Sequence, residues 1–338
     1  MIARYITCTR FGNPKDVLQV QYKEVVRPEP GELLVQMLTS PINPSDLIPV
    51  SGAYAHRIAL PMIPGYEGVG IVTEVGKNVS STWLGQRVLA LRGEGTWQEF
   101  VRVPAELAIP VPETIHNDTA SQLYINPVTA WLISKQYLAS DDIVLINACG
   151  SSIGRIFTQL SKVIGFQVIA VTRNQLQTED LLLLGASHVI NTSTTSLQEA
   201  VMEITQGRGV KVGIDSIGGS AAEELAQCVQ IGGTVLSIGL LSGKPVDWTR
   251  IARQTGVKPA LYWLRHWVAR VSAQEWHEPF RHIVELIQNS QLQLDPPRLR
   301  FELSNIREAV IAATANGKSG KTSLTFQNYF PNDSSFPG

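Results

Sequence analysis

The sequence has few cysteines, no long apolar run and no excess of charge of either sign. Cys8, Cys149 and Cys228 lie far apart, which fits reduced thiols and excludes a disulfide framework. No run of about 18 apolar residues exists, so we expect no membrane-spanning helix. The 28 Lys and Arg residues balance 29 Asp and Glu residues, and this net charge of −1 gives no reason to expect nucleic acid or a membrane surface as a partner. The first residues also lack the layout of a signal peptide, so we expect a cytoplasmic protein.

Two patterns divide the 338 residues and predict an α/β protein with two domains. In residues 1–120, short β-like runs alternate with Gly and Pro turns, which is typical of a compact β-rich domain. In residues 121–265, helical segments alternate with uninterrupted apolar strands, as in a doubly wound parallel sheet. Residues 266–338 form a third segment that ends in a polar tail.

The strongest local signal is IVLINACGSSIGRIF at 143–157, which predicts a strand, a tight turn and a helix. Small residues stand three apart at Ala148, Ser151 and Gly154, where a dinucleotide-binding turn needs a bend, room for the pyrophosphate and close helix packing. We predict that the cofactor site includes Ser151, Ser152, Ile153 and Gly154. Taken alone, the pattern also fits plain packing of a helix on a strand.

The end of the next strand predicts which cofactor binds. Thr172 and Arg173 stand where an NAD-binding protein places an acid for the ribose hydroxyls. An arginine beside a hydroxyl can instead hold the 2′-phosphate of NADPH. NADPH is therefore the predicted cofactor, and the alternative is that Arg173 is a surface cation.

With these motifs the chain resembles the medium-chain dehydrogenase/reductases, and within them the zinc-free quinone oxidoreductase and 2-enoyl thioester reductase group. The resemblance covers nearly the full length and includes GYEGVGIVTEVGKNV at 65–79, LLLLGASHVIN at 181–191 and GGTVLSIGLLSGKPV at 232–246. It implies a GroES-like catalytic domain, an inserted Rossmann NADPH-binding domain, a C-terminal return to the catalytic domain, and a homodimer.

Many members of this superfamily bind zinc through a cysteine and a His-Glu pair. This chain has Asn43 in place of the cysteine and Tyr66-Glu67 in place of the pair, and no cysteine between Cys8 and Cys149. Zinc sites need closely spaced cysteine or histidine. No metal is therefore expected.

The segment PINPSDLIPVSGAY at 41–54 contains three prolines, which predict a loop or a broken connector in place of a continuous helix. It is similar to the enoyl thioester reductase segment in which a tyrosine contacts the substrate, and Tyr54 matches that tyrosine. A tyrosine can donate a proton or a hydrogen bond to an enolate. Tyr54 is therefore the predicted catalytic residue, and the alternative is a loop tyrosine that only packs.

The resemblance implies further contacts. It places Asn43, Asn126, Thr129 and the backbone of Gly239, Leu240 and Leu241 at the cofactor. Trp263 and Trp267 lie in a segment rich in Arg, similar to the helix near the acyl pocket of the enoyl reductases. Its cations can meet the phosphate of coenzyme A or an acyl carrier protein. The alternative is a partly buried helix with a solvated basic face.

Three hypotheses follow. The first is reduction of trans-2-enoyl thioesters, in which NADPH delivers hydride to the β-carbon and Tyr54 stabilises the enolate or supplies the proton. The second is an NADPH:quinone oxidoreductase on the same scaffold. The third is a cofactor-binding protein without turnover.

Overall fold

The computed structural model describes residues 1–53, 55–173, 175–315 and 320–326. The strands are β1 Ile2–Cys8, β2 Leu18–Glu24, β3 Glu32–Ile42, β4 Val69–Val75, β5 Arg87–Leu89, β6 Phe100–Pro104, β7 Ile109–Pro110, β8 Ile143–Ile146, β9 Gln167–Thr172, β10 His188–Asn191, β11 Val210–Asp215, β12 Val229–Ser237, β13 Lys258–Leu261, β14 Leu299–Glu302 and β15 Thr322–Thr325. The α-helices are α1 Pro14–Val17, α2 Pro44–Val50, α3 Asn117–Ala120, α4 Ile125–Tyr137, α5 Ser152–Ile164, α6 Thr178–Leu184, α7 Leu197–Ile204, α8 Gly219–Gln227, α9 Trp248–Thr255, α10 Leu264–Val268, α11 Ala273–Gln288 and α12 Ile306–Thr314. In the described parts of the chain, no helix combines the length and the apolarity that crossing a bilayer requires.

The chain forms two compact units. The first contains Met1–Leu123 and the segment from Asp295 onward, and the second is Tyr124–Leu294. The sequence predicts the first boundary at residues 120 and 121 and the return to the first unit at residue 266. The return occurs later, at Asp295, because α11 packs against α4 within the second unit.

The second unit contains a six-stranded sheet in the order β10, β9, β8, β11, β12, β13. All of its neighbouring strands run parallel. Its core residues, including Leu145, Ile169 and Val235, are fully buried, as expected for strands covered on both faces. This order is that of the Rossmann fold, and it confirms the doubly wound prediction.

The order of the strands in this sheet reverses between β8 and β11, which are hydrogen-bonded neighbours. In open parallel sheets a ligand binds in the crevice at the carboxyl ends of the strands where the order reverses. The functional site of the second unit is therefore expected just after residue 146 and at residue 215.

The first unit is built on a sheet in the order β14, β15, β3, β4, β5, β7, with β6 also paired to β3. Strand β15 pairs antiparallel with β3 although it lies near the other end of the sequence. Helix α12 buries residues spaced three and four apart, which are Ile306, Ala309, Val310 and Ala313. The C-terminal segment thus completes the core of the first unit, as the GroES-like arrangement predicts.

The expectation of a loop at 41–54 is wrong for most of that segment. Pro41 lies within β3, and residues 44–50 form α2. Pro44 occupies the first position of the helix, where no N–H bond is lost, and the helix ends one residue after Pro49. Pro49 has no N–H to donate to the carbonyl of Ser45, four residues earlier, and only Val50 follows it in the helix.

Strand β11 lies inside the six-stranded sheet, so a substitution in it tests the packing of the second unit. Ile214 is fully buried, whereas Ile231 at the start of β12 is 87% exposed. We expect Ile214→Ala to lower the free energy of unfolding by about 2–5 kcal/mol, because it leaves a cavity. The matched change Ile231→Ala should alter it by less than about 0.5 kcal/mol. Urea denaturation followed by circular dichroism measures both, and equal effects would contradict the packing described here.

Candidate functional site

The predicted strand, turn and helix at 143–157 forms as β8, a tight turn and α5. Ser151 is the N-cap of α5, and its Oγ accepts from the N–H of Gly154 at 3.4 Å. A Cβ atom on Gly154 would lie 2.5 Å from the Cα and the carbonyl oxygen of Cys149. Only glycine therefore fits where α5 begins against the end of β8. The first N–H groups of such a helix have no helical partner and attract anions.

The turn itself departs from the usual glycine-rich pattern. Ala148 has a φ of 48°, a left-handed conformation that costs a residue with a Cβ about 1–2 kcal/mol. A Cβ on Gly150 would lie 2.0 Å from Oε1 of Gln177. The amide of Gln177 thus lies directly over the turn, and its Oε1 also accepts from the hydroxyl of Thr172 at 3.2 Å.

The end of β9 presents a cation. Arg173 is exposed directly after the strand, while Thr172 is buried. On the neighbouring α6, Asp180 forms an ion pair with Arg155 of α5. That ion pair offsets the negative charge of Asp180.

The loop at 239–241 follows β12 at the same edge of the sheet. Leu240 and Leu241 are 46% and 55% exposed. The N–H of Leu241 donates to the carbonyl of Ser216 at 3.0 Å. This donor is therefore used within the protein.

Two aromatic side chains of the predicted acyl region differ in their surroundings. Trp267 stacks on the buried Trp276 with ring centroids 5.5 Å apart. Trp263 is the N-cap of α10 and contacts His266 at 5.3 Å between centroids. Trp267 is thus anchored to the core of the second unit.

Helix α4 carries the other predicted pair of the second unit. The helix begins at Ile125, so Pro127 lies in its first turn, as predicted. Asn126 is half-buried, and Thr129 is buried one turn later. Both residues thus belong to the N-terminal half of α4.

A polar cluster is buried in the first unit. The side-chain amide of Asn43 donates to Glu67 Oε1 at 2.7 Å, and Lys321 Nζ lies 3.7 Å from the same oxygen. Asp46 accepts from the backbone N–H of Asn43 at 2.7 Å and from that of Tyr66 at 3.0 Å. These contacts tie the start of α2 to the segment before β4 and to the segment before β15.

Burial changes the titration of this cluster. It raises the pKa of Asp46 to about 7, although the N–H groups of Asn43 and Tyr66 act in the opposite direction. Burial also lowers the pKa of the Lys321 ammonium, which the nearby carboxylates oppose. Asp46 therefore changes its charge near neutral pH.

Tyr54, the predicted catalytic residue, lies outside the described residues. The helix that precedes it, α2, is held by a capping box in which the side chain of Asp46 and the backbone of Asn43 take part.

The chain is similar to proteins of known family along nearly its full length. Residues 29–113 match the alcohol dehydrogenase GroES-like domain family, and residues 152–258 match the zinc-binding dehydrogenase family. The enoyl-[acyl-carrier-protein] reductase, mitochondrial, of Rattus norvegicus is 30% identical over 330 residues, with 95% of this chain and 88% of that protein covered. The chain belongs to the medium-chain dehydrogenase/reductase superfamily.

Solved structures of two members of the superfamily match this fold. A Bacillus thuringiensis protein provisionally assigned as an NADPH:quinone reductase has a TM-score of 0.94 and 49% identity, with 96% of this chain and 99% of that chain covered. The Escherichia coli quinone oxidoreductase complexed with NADPH has a TM-score of 0.86 and 25% identity, with 96% and 100% covered. These relatives confirm the predicted group within the superfamily.

At the positions that zinc-binding members of the superfamily use for ligands, this chain has a hydrogen-bonded pair. Asn43 and Glu67 contact each other directly, and the backbone of Tyr66 donates to Asp46. In the part of the chain that the structure describes, no group of three or more His, Cys, Asp or Glu side chains is placed to hold a metal ion.

Three polar residues at the carboxyl edge of the parallel sheet are not among the residues predicted from the sequence. Asn147 and Asp215 are buried and hydrogen-bonded to each other at 2.6 Å, and Gln177 covers the turn. A signal for the first two was present, because each is a polar residue at the end of a strand in which most other residues are apolar. Gln177 gave no such signal.

The titration of Asp46 predicts a pH dependence of stability. Between about pH 4 and pH 7 the native state keeps a proton on Asp46 that the unfolded chain releases. Its contribution to stability is therefore full below about pH 4 and is lost as the pH rises through 7.

Asp46→Asn removes this titration. We expect the free energy of unfolding of the wild type to fall, relative to that of the variant, by roughly 1 kcal/mol or more between about pH 5 and pH 8. Asp16→Asn changes an exposed residue and should keep the wild-type profile. Parallel profiles for the wild type and Asp46→Asn would contradict the buried acid. Urea denaturation across this pH range makes the measurement.

Proposed function

We propose that this protein is an NADPH-dependent reductase of conjugated carbonyl compounds, most concretely of trans-2-enoyl thioesters. The binding of NADPH is supported by the close contact at Gly154, where no side chain fits between the start of α5 and the end of β8. Such close packing of helix on strand is what the last small residue of a dinucleotide-binding turn provides, and the first N–H groups of the helix can bind a pyrophosphate. The name of the rat relative supports an enoyl thioester as the substrate.

The residues of the second unit fit NADPH in three places. Ser151, Ser152, Ile153 and Gly154 would hold the pyrophosphate at the N-terminus of α5. Arg173, exposed beside Thr172, would hold the 2′-phosphate. The nicotinamide end is proposed to contact Asn126, Thr129 and the backbone near Gly239, Leu240 and Leu241. Bound NADPH supplies the hydride for the reduction.

The first unit supplies the acid in this proposal. Tyr54 would donate a hydrogen bond or a proton to the enolate that forms when the β-carbon is reduced. Asp46 and Asn43 fix the start of α2, which leads to this tyrosine. Asn43 stays a predicted cofactor contact, although its amide already donates to Glu67.

A quinone is the second candidate substrate. The identity of 49% to the Bacillus thuringiensis protein, provisionally assigned as an NADPH:quinone reductase, favours it. Tyr54 argues for the enoyl thioester, because many quinone reductases have this segment without an essential acid. Cofactor binding without turnover remains the third hypothesis, and the assays below include that outcome.

The remaining predictions concern the surroundings of the reaction. Trp263 and Trp267 would line the acyl site, next to cations that can meet coenzyme A or an acyl carrier protein. A homodimer stays a prediction. The cytoplasmic location stays a prediction too, since the rat relative is named as mitochondrial.

Arg173→Ala tests the choice of cofactor. We expect the KM for NADPH to rise about tenfold or more and the KM for NADH to stay nearly unchanged, because only NADPH carries the 2′-phosphate. Arg208→Ala removes another exposed arginine, which precedes β11 at the amino edge of the sheet, and should change neither value. A rise of both KM values in Arg173→Ala would contradict the proposed role.

Tyr54→Phe tests the acid. NADPH oxidation is followed by absorbance with crotonyl-CoA, a longer 2-enoyl-CoA and a quinone. We expect turnover of the enoyl thioesters by the wild type and a loss of about a hundredfold or more in the variant. Quinone turnover that the change leaves intact would assign the protein to the quinone reductases. NADPH binding without oxidation of NADPH by any acceptor would support the third hypothesis.

A further inference from the structure

Two buried polar residues meet where the strand order of the parallel sheet reverses. Asn147 directly follows β8, and Asp215 is the last residue of β11. The side-chain amide of Asn147 donates to Asp215 Oδ1 at 2.6 Å. Their exposed fractions are 3% and 0%. The mechanism proposed above uses neither side chain.

The carboxylate of Asp215 organises the segment that follows it. Oδ1 accepts from the backbone N–H of Ile217 at 3.0 Å, and both carboxylate oxygens accept from that of Gly218 at 3.1 Å. Asn147 Oδ1 accepts from the N–H of Ser216 at 2.8 Å. Within the described residues, amide groups make these bonds and no cation pairs with the carboxylate. The charge is thus offset by backbone dipoles, and the backbone of residues 216–218 is fixed in return.

The segment fixed in this way holds the loop at 239–244. The N–H of Leu241 donates to Ser216 O at 3.0 Å, and Ser242 donates to Ile217 O through its N–H at 2.9 Å and its hydroxyl at 2.7 Å. The N–H of Gly219 donates to Lys244 O at 3.1 Å. These bonds connect the two loops along their length.

The glycines of these loops show how closely the loops approach each other. A Cβ on Gly218 would lie 2.4 Å from Leu240 Cδ1, and a Cβ on Gly239 would lie 2.9 Å from Ser216 O. A shift of residues 216–218 would therefore move residues 239–241 as well.

We propose that Asp215 is a positioning residue that holds the loop at 239–244 in the conformation that receives the nicotinamide end of the cofactor. That the ligand is NADPH rests on the proposed function, whereas the mechanical link between Asp215 and the loop does not. Asp215 acts through residues 216–218 and does not itself contact the cofactor.

Asp215→Asn tests the mechanical link without a ligand. The side chain of asparagine has one accepting oxygen, whereas the carboxylate of Asp215 accepts through both oxygens. We therefore expect the hydrogen bonds that hold residues 216–218 to weaken. We expect amide hydrogen exchange at residues 239–244 to be about tenfold or more faster than in the wild type. Asp142→Asn is the matched control, because Asp142 directly precedes β8 and therefore lies at the opposite edge of the same sheet. Its carboxylate also makes structural contacts, since it accepts from the N–H of Ala139 and pairs with Lys211. Equal exchange of this loop in the two variants would overturn the proposal.

Ligand binding then separates positioning from general stability. We expect Asp215→Asn to weaken NADPH binding about tenfold or more and to leave binding of 2′,5′-ADP, which lacks the nicotinamide, within about twofold. An equal loss for both ligands would overturn the proposal. If the wild type binds neither ligand, the proposed function fails and the exchange comparison still decides the link.

Ser242→Ala is the milder variant if Asp215→Asn does not fold. It removes one hydroxyl bond to Ile217 O at an exposed position. NADPH binding should weaken about threefold to tenfold, again without a change for 2′,5′-ADP. Unchanged NADPH binding in this variant would count against the link between the two loops.

Discussion

The hydrogen bond between Asn147 and Asp215 joins β8 to β11 where the strand order of the parallel sheet reverses. A buried backbone group without a hydrogen-bond partner is costly. The amide of Asn147 and the carboxylate of Asp215 supply acceptors for the N–H groups of residues 216–218. The turn that begins at residue 147 and the loops at 216–219 and 239–244 therefore share one set of bonds.

Close packing near the carboxyl edge of this sheet restricts which residues fit there. Gly154, Gly218 and Gly239 each stand where a Cβ would lie within 3 Å of another atom. The bend that such turns often make with glycine is made here by Ala148, at a positive φ. The turn between β8 and α5 thus has glycine at Gly154, where helix and strand are in close contact. At Ala148, where the chain bends, it has a residue in an unfavourable backbone conformation.

The first unit shows a different solution to burial of polar groups. Here Oε1 of Glu67 accepts from the side-chain amide of Asn43 and lies 3.7 Å from the ammonium of Lys321. Asp46 accepts from two backbone N–H groups, and burial raises its pKa to about 7. The cluster joins three distant parts of the chain, so its integrity determines how α2 is held.

By itself the sequence determined a β-rich part and a doubly wound part, the parallel sheet, the strand, turn and helix at 143–157, and Gly154 as a small residue where the helix packs on the strand. These features follow from local periodicity and from residue size, which a linear pattern records. Only the tertiary structure decided that residues 44–50 form a helix despite their prolines, that Gln177 covers Gly150, and that Lys321 approaches Glu67. It also decided that Asp215 pairs with Asn147, 68 residues away. Such contacts depend on strand register and on the packing of distant segments, and neither is encoded in the neighbours of a residue along the chain.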